Sequence, residues 1–192
     1  MKTLIDILQG MGVSAAAGLR PFLPVLVVGG FASADVGVDF DGTEFSFLEQ
    51  PWFLLVIAVA LVITTLLHAR IEKSAAGEAS MAGIGLGFGA LLFAATLDDR
   101  HAIWWPGLIA GILCGLIAQL GARSLLTRTR IRLDAEAAAA LFLYAEAASL
   151  VLAGLAILVP PVSLLALGFF VWLRAGSRRR DGEKYAGLRI LR

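Results

Sequence analysis

The sequence predicts an all-α bundle of helices that spans a membrane, and three observations support this prediction. Of the 192 residues, 59% are hydrophobic and 16% are charged, against about 25% charged in an ordinary soluble domain. The mean hydropathy is +0.85, so there is too little charge to cover a surface in water. The apolar residues also fall in runs close to the roughly 20 residues that a spanning helix needs. The formal net charge of +1 argues against a nucleic-acid partner.

Six apolar runs carry this prediction. We assign them to one transmembrane domain over residues 1–174, followed by a basic cytoplasmic tail at 175–192. Backbone polar groups cannot face lipid without a partner, so each run is expected to be helical. The last run is short and is extended by Leu173 and by the turn at Pro160-Pro161. The spans lie at about 13–33, 52–68, 81–97, 103–122, 135–159 and 162–174.

The charged residues predict an orientation. With the N terminus inside, 14 of the 16 Lys and Arg residues lie in cytoplasmic segments, and seven Asp and Glu residues lie outside. Basic segments mark the cytoplasmic face, and Trp52, Trp104, Trp105 and Trp172 fall near the expected interfaces. We therefore expect an inner-membrane protein with both termini in the cytoplasm. The seven basic residues from Arg174 onward are also a candidate site for anionic lipid.

A cleaved signal peptide is the alternative interpretation of the first run. Lys2, the apolar stretch that follows and Ala32-Ser33-Ala34 have the order of a signal peptide with a small-residue cleavage site. The stretch is longer than a signal core, however, and it contains Arg20 and two prolines. These features favour a retained span.

The first span is expected to break between Gly18 and Pro24. Pro21 and Pro24 remove two backbone donors, and a proline also disfavours helical geometry at the residue before it. A break leaves free carbonyls and a half-helix N terminus within the membrane, which is how transporters build binding sites. The alternative is a proline kink that neighbouring helices stabilise.

Two ionisable residues lie deep in the predicted spans, Arg20 in the first and Glu146 in the fifth. A guanidinium keeps its proton, and at the membrane centre it costs roughly 3 kcal/mol on insertion scales. A nearby arginine would keep the glutamate ionised, so we predict that the two are partners, directly or through water. The pair either pins the fold or forms an ion, proton or substrate site. Gln119, in the fourth span, is a weaker candidate for the same pathway.

Glycines in the third and fourth spans predict close helix packing, because missing side chains let helix backbones approach. Those of the fourth span recur every four residues, and those of the third form two overlapping patterns that also include Gly85 and Gly89. The glycines assigned to packing are Gly83 and Gly87 in the third span and Gly107, Gly111 and Gly115 in the fourth.

The first outer loop alternates apolar and polar residues around Asp41-Gly42, which is typical of a small β-hairpin. Its carboxylates suggest calcium. Aligning Gly42 with the sixth position of an EF-hand loop places Gly37 first and Leu48 twelfth, so two required ligands are missing. We therefore expect a solvated acidic hairpin and no metal.

The sequence predicts no catalytic residues and no cofactor. His68 and His101 are expected on opposite sides of the membrane and so cannot share a metal. Cys114 is the single cysteine and is expected to be a packing residue within a span. No nucleophile, base and acid can be assembled into one set.

Two segments resemble a known family. The run Gly12–Pro24, GVSAAAGLRPFLP, resembles the opening signature of a bacterial membrane-protein family catalogued as domain of unknown function 4126. Phe45–Phe53, FSFLEQPWF, is similar to that family's entry into its second span. Ala69–Ser74 departs from the acidic, proline-containing stretch that is usual there. The resemblance implies an integral membrane protein and supplies no established activity.

The leading functional hypothesis is a small transporter or channel-like protein whose midplane site involves Arg20, Pro21, Pro24, Glu146 and Gln119. Six short helices leave little room for an enclosed route, which suggests a homodimer. The alternatives are a non-transporting scaffold or assembly factor and, third, a membrane enzyme that acts on lipid. A charged pair that lines a water-reachable cavity would favour transport, whereas a dry contact enclosed by alanine and glycine would favour the scaffold.

Overall fold

The computed structural model describes residues 2–71, 74–98, 104–130 and 135–186. Within them the chain forms seven α-helices, a short 3-10 helix at Ser46–Glu49 and no strand, which confirms the predicted helical bundle. Four helices are long and apolar enough to cross a membrane, and shorter apolar helical stretches lie at Thr3–Leu19, Phe22–Ala32 and Val162–Gly176. The helices are α1 (Lys2–Leu19), α2 (Phe22–Ala32), α3 (Pro51–Ile71), α4 (Ala75–Asp98), α5 (Trp105–Arg130), α6 (Ala135–Leu158) and α7 (Val162–Ala186).

Helix α1 forms the centre of the bundle and packs against α4, α5, α6 and α7. Its side chains from Val13 to Ala17 are buried. Small residues permit this crowding: a Cβ placed on Gly12 would meet the side chains of Ser163 in α7 and Ala156 in α6. The Ser-Ala-Ala-Ala run of the first span is therefore a packing surface that admits four neighbouring helices at once.

Helix directions follow from which residues meet. A Cβ on Gly10, in the first half of α1, would lie 2.6 Å from Thr96 Oγ1 near the end of α4. A Cβ on Gly85, in the first half of α4, would lie 2.8 Å from the carbonyl oxygen of Ala17 near the end of α1. The two helices are therefore antiparallel. Helix α5 is antiparallel to α4 in turn, so it runs parallel to α1.

Helix α2 folds back along α1. The Gln9 side-chain amide donates hydrogen bonds to the carbonyl oxygens of Gly37 and Ile157, both at 3.1 Å. If α2 continued α1 in a straight line, Ala32 would lie about 34 Å from Gln9 at 1.5 Å per residue. The five residues from there to Gly37 span at most about 18 Å. The first predicted span is therefore a helical hairpin with its tip at Arg20-Pro21.

The tip of this hairpin lies near the middle of the bundle. Gly18 lies directly against the backbone of Gly115, which is close to the midpoint of the apolar stretch Trp105–Thr127 of α5. The hairpin thus enters from one end of the bundle and returns to the same end. Irregular backbone at such depth is tolerated in membranes only where it is buried in protein or lines a cavity.

Two ends of the bundle can be distinguished by their charges. The acidic end is the one where α4 ends at Asp98 and where the loop after α2 lies. The basic end is the one where α3 ends and α4 begins, beside Arg70 and Arg123. Helix α1 starts at the acidic end and α7 finishes at the basic end. This differs from the expectation that both termini share one face, because the first span turns back instead of crossing.

The loop between α2 and α3 caps the acidic end, and the β-hairpin predicted for it is wrong. The described residues form turns and a 3-10 helix, and Val38, Phe40, Phe45 and Leu48 are buried under the loop. Local bonds compete with strand pairing: the backbone N–H of Asp41 donates to Asp39 Oδ1 at 2.8 Å. The apolar side chains cover the ends of the helices instead of pairing with one another.

Candidate functional site

The site is built around the tip of the α1–α2 hairpin. The last helical bond of α1 runs from the backbone N–H of Arg20 to the carbonyl oxygen of Ala16, at 3.0 Å. Pro21 has no N–H to continue the pattern and instead occupies the N-cap position of α2, with no side-chain cap. The predicted break is therefore confirmed, and it leaves the amino end of a short helix beside an arginine.

Arg20 and Glu146 are partners, as the sequence predicted. Arg20 Nε lies 3.7 Å from Glu146 Oε1, and the two side chains are 17% and 14% exposed. The guanidinium carbon of Arg20 also lies 4.4 Å from the centre of the Phe142 ring, a distance at which a cation and an aromatic face attract each other. Two side chains of α6 thus contact Arg20, the carboxylate of Glu146 and the aromatic ring of Phe142.

A cavity of about 350 Å³ opens beside this pair. That volume lies within the range of sites for small molecules. The cavity is formed where α1, α3, α4, α5 and α6 diverge toward the basic end. Its lining residues are Gly18, Leu19, Arg20, Pro21, Thr64, His68, Ile71, Glu78, Met81, Ala82, Gln119, Ala122, Arg123, Leu126, Thr127, Leu141, Phe142 and Glu146.

A second ion pair stands at the rim of the cavity. Arg123 Nη2 lies 3.3 Å from Glu78 Oε2, and both side chains are about half exposed, at 51% and 52%. Between rim and tip, the His68 ring packs on the Phe142 ring with centroids 4.7 Å apart, which joins α3 to α6 along the cavity wall. The cavity therefore runs from the exposed basic end to the tip of the hairpin at mid-depth.

Backbone packing closes the opposite end of the cavity. The Ser14 hydroxyl donates a 2.7 Å hydrogen bond to the carbonyl oxygen of Gly89. Gly111 of α5 lies against the backbone of Gly89, and Gly115 lies beside Gly18. Helices α1, α4 and α5 pack closely here through glycines and the small Ser14 side chain. This part of the bundle is therefore dense, whereas the half toward the basic end contains the cavity.

The glycines assigned to packing lie in different surroundings on α5 and on α4. Gly107, Gly111 and Gly115 all face neighbouring helices, whereas a Cβ on Gly83 or Gly87 would meet nothing within 4 Å. The contacts of α4 are made by Gly85 and Gly89 instead. The two glycine patterns of α4 lie on different faces of the helix, and α1 packs on the face that carries Gly85 and Gly89.

Four of the five predicted pathway residues line the cavity together: Arg20, Pro21, Gln119 and Glu146. Pro24 does not, because it is fully buried within α2. Sequence reasoning missed Phe142 and placed no role on His68. Phe142 could have been found, since it lies one helical turn before Glu146 and side chains four residues apart share a face.

Outside the cavity, the described residues offer one group of clustered metal-ligand side chains. Carboxylate oxygens of Asp39, Asp41 and Glu49 lie within 4.8 Å of one another at the acidic end. Partial burial, and after it a hydrogen bond and the negative charge of Asp41, raise the pKa of the Glu49 carboxyl above its usual range. Cys114 is buried and free, as expected for a packing residue. His101 and residues 187–192 of the tail lie outside the described residues.

Comparisons with known proteins place the chain in a family. No curated protein and no solved structure shows significant similarity to it. Residues 7–180 match the family described as Domain of unknown function (DUF4126), so the match covers both the hairpin and the cavity helices. It agrees with the resemblance seen in the first fifty residues and with a multi-pass membrane bundle. The chain is a member of the DUF4126 family.

Proposed function

We propose that the protein is a small membrane transporter that binds a polar solute in the cavity between the hairpin tip and the basic end. The observation that carries this proposal is the placement of Arg20 and Glu146 on the wall of a cavity that reaches an exposed rim. A pair whose only role is to pin the fold needs no such space. Ionisable residues within a membrane typically mark solute or ion pathways.

The shape of the cavity supports the same proposal. It is open at the basic end and closed by helix packing on the other side, which is the arrangement of a transporter facing one compartment. Discontinuous helices with their termini at mid-depth are how secondary transporters form substrate sites. We infer that the basic end lies on the cytoplasmic side of the inner membrane, because Arg70, Arg123 and Arg130 lie there and basic segments mark that side.

The test is solute flux in proteoliposomes that contain the purified full-length protein. A panel of labelled amino acids, carboxylates, amines and inorganic ions is offered, and protons are followed with a trapped dye. We expect wild type to move at least one solute faster than empty liposomes, and Arg20→Ala and Glu146→Gln each to lower that rate at least tenfold. Loss of a desolvated charge contact typically costs about 2 kcal/mol or more, which corresponds to more than tenfold.

The matched control is Glu44→Gln, an exposed carboxylate at the acidic end that should leave the rate unchanged. If wild type moves none of the solutes, or if Arg20→Ala and Glu146→Gln match wild type, the transport proposal fails. Conversion of a lipid in the same vesicles would instead favour a membrane enzyme.

A further inference from the structure

The charges that line the cavity come in two opposite pairs. Arg20 and Glu146 form the deep pair, and Arg123 and Glu78 form the rim pair. Among the lining residues that the structure describes, arginines and carboxylates are therefore equal in number. A simple anion would meet a carboxylate beside each arginine, and a simple cation would meet an arginine beside each carboxylate. A solute that carries both charges avoids either repulsion.

The deep pair is spaced so that a solute can bind both partners. The 3.7 Å between Arg20 Nε and Glu146 Oε1 exceeds the roughly 2.7–2.9 Å of a tight charge-assisted hydrogen bond. The second oxygen of Glu146, Oε2, is buried and accepts no hydrogen bond from the residues that the structure describes. Glu146 itself lines the cavity and its side chain is 14% exposed, so an ammonium group in the cavity would lie next to this carboxylate.

The hairpin tip complements a carboxylate. Pro21 lines the cavity and stands at the N-cap of α2, which has no side-chain cap. Arg20 carries a full positive charge at this point, next to the positive end of the α2 helix dipole.

The rest of the wall is apolar. Leu19, Ile71, Met81, Leu126 and Leu141 contribute to the lining, and a volume of about 350 Å³ admits a branched side chain together with its polar group. A small site of this kind gains its affinity from apolar contact and its orientation from a few polar groups.

We infer that the solute is a zwitterion of the α-amino acid class with an apolar side chain. Its carboxylate lies at Arg20 beside Pro21, its ammonium group lies at Glu146, and its side chain lies toward the leucines of the rim half. This inference rests on the proposed function only in taking the cavity to be a ligand site. It does not require that the ligand be carried across the membrane.

The test compares three probes that differ by one charged group. L-leucine carries both charges, 4-methylpentanoate lacks the ammonium group, and 3-methylbutylamine lacks the carboxylate. Binding to the purified full-length protein in nanodiscs is followed by the shift in thermal unfolding midpoint across a concentration series. We expect the Kd for L-leucine to be at least tenfold lower than the Kd for either analogue.

Two variants test which side chain binds each charged group of the solute. In Glu146→Gln the preference for L-leucine over 4-methylpentanoate should fall to less than twofold, and in Arg20→Gln the preference over 3-methylbutylamine should fall likewise. Comparison of the probes on wild type needs no variant, so a variant that does not fold leaves the test intact. Equal binding of either analogue, or no binding of L-leucine, overturns the inference.

The outcomes also separate this inference from the transport proposal. Binding of L-leucine without any flux in proteoliposomes overturns transport and leaves the ligand class standing. Flux of another solute that is abolished by Arg20→Ala, without binding of L-leucine, overturns the ligand class and leaves transport standing.

Discussion

Replacement of Gly111 by valine is expected to abolish the folded bundle, because α4 and α5 touch backbone to backbone at this point. A Cβ on Gly111 would meet the carbonyl oxygen of Gly89 and would lie 2.7 Å from the Cα of Ala90. Neither atom can move unless α4 moves. Overpacking a protein interior costs about 1–3 kcal/mol, and here two helices must separate. The measurement is the yield of monodisperse protein in mild detergent and its thermal unfolding midpoint.

The matched control compares two glycine-to-alanine exchanges, one at Gly111 in the contact between α5 and α4 and one at Gly87 on an open face of α4. Gly111→Ala should lower the unfolding midpoint, because even one methyl group meets the α4 backbone. Gly87→Ala should leave the midpoint unchanged or raise it, since nothing lies within 4 Å of that position and alanine is about 1 kcal/mol better than glycine in a helix interior. Equal destabilisation by both variants would mean that the described packing of α4 is wrong.

Reversal of one charge in the deep pair is expected to destabilise the protein, and reversal of both is expected to restore it. Glu146→Arg places a second cation next to Arg20, and Arg20→Glu places a second carboxylate next to Glu146. Removing one partner of a buried pair costs about 3 kcal/mol or more. The double exchange should cost less than either single reversal, which requires a coupling free energy of about 3 kcal/mol or more in a four-variant cycle of unfolding measurements.

The rim pair supplies the control for this cycle. Arg123 and Glu78 are about half exposed, so each single reversal there should change the free energy of unfolding by about 1 kcal/mol or less. Strictly additive effects at Arg20 and Glu146 would show that the two side chains do not interact.

The sequence was sufficient to predict the break, the charged pair and the glycine contacts of α5. Each of these follows from a local rule: Pro21 removes a donor, a guanidinium in lipid needs a counter-charge, and glycines four residues apart share a helix face. These rules hold wherever the segment lies in the fold, so the neighbours need not be known.

The direction of α2 could not be predicted in this way. A missing hydrogen bond permits a kink or a full reversal, and the choice depends on distant contacts such as those of Gln9 with Gly37 and Ile157. The predicted side of the N terminus depends on the same choice, because it assumes that the first span crosses the membrane. The glycines of α4 failed for a similar reason, because both of its small faces allow close approach and only the position of α1 selects Gly85 and Gly89.

The loop between α2 and α3 is a third feature that the sequence pattern did not predict. Alternation of apolar residues predicts a strand, but the same spacing also suits a loop that inserts Val38 and Phe40 into the end of a helical bundle. Gly37 and Gly42, at φ +78° and +75°, adopt the left-handed conformation that glycine favours and turn the chain on either side of these buried groups.

Labelling from each side of the membrane tests whether the charged pair lies in a water-filled cavity that is open at the basic end. Since Cys114 is the only cysteine, Cys114→Ser provides a cysteine-free background for Gln119→Cys and Ala82→Cys in the cavity wall. Ala94→Cys, which is fully buried, and Glu44→Cys at the acidic end serve as controls.

An impermeant maleimide is then applied to inside-out and right-side-out vesicles. We expect Gln119→Cys and Ala82→Cys to be labelled at the cytoplasmic face alone, Glu44→Cys at the opposite face alone, and Ala94→Cys at neither. Absence of labelling at Gln119→Cys and Ala82→Cys, or their labelling from the same face as Glu44→Cys, would show that the cavity does not open at the basic end.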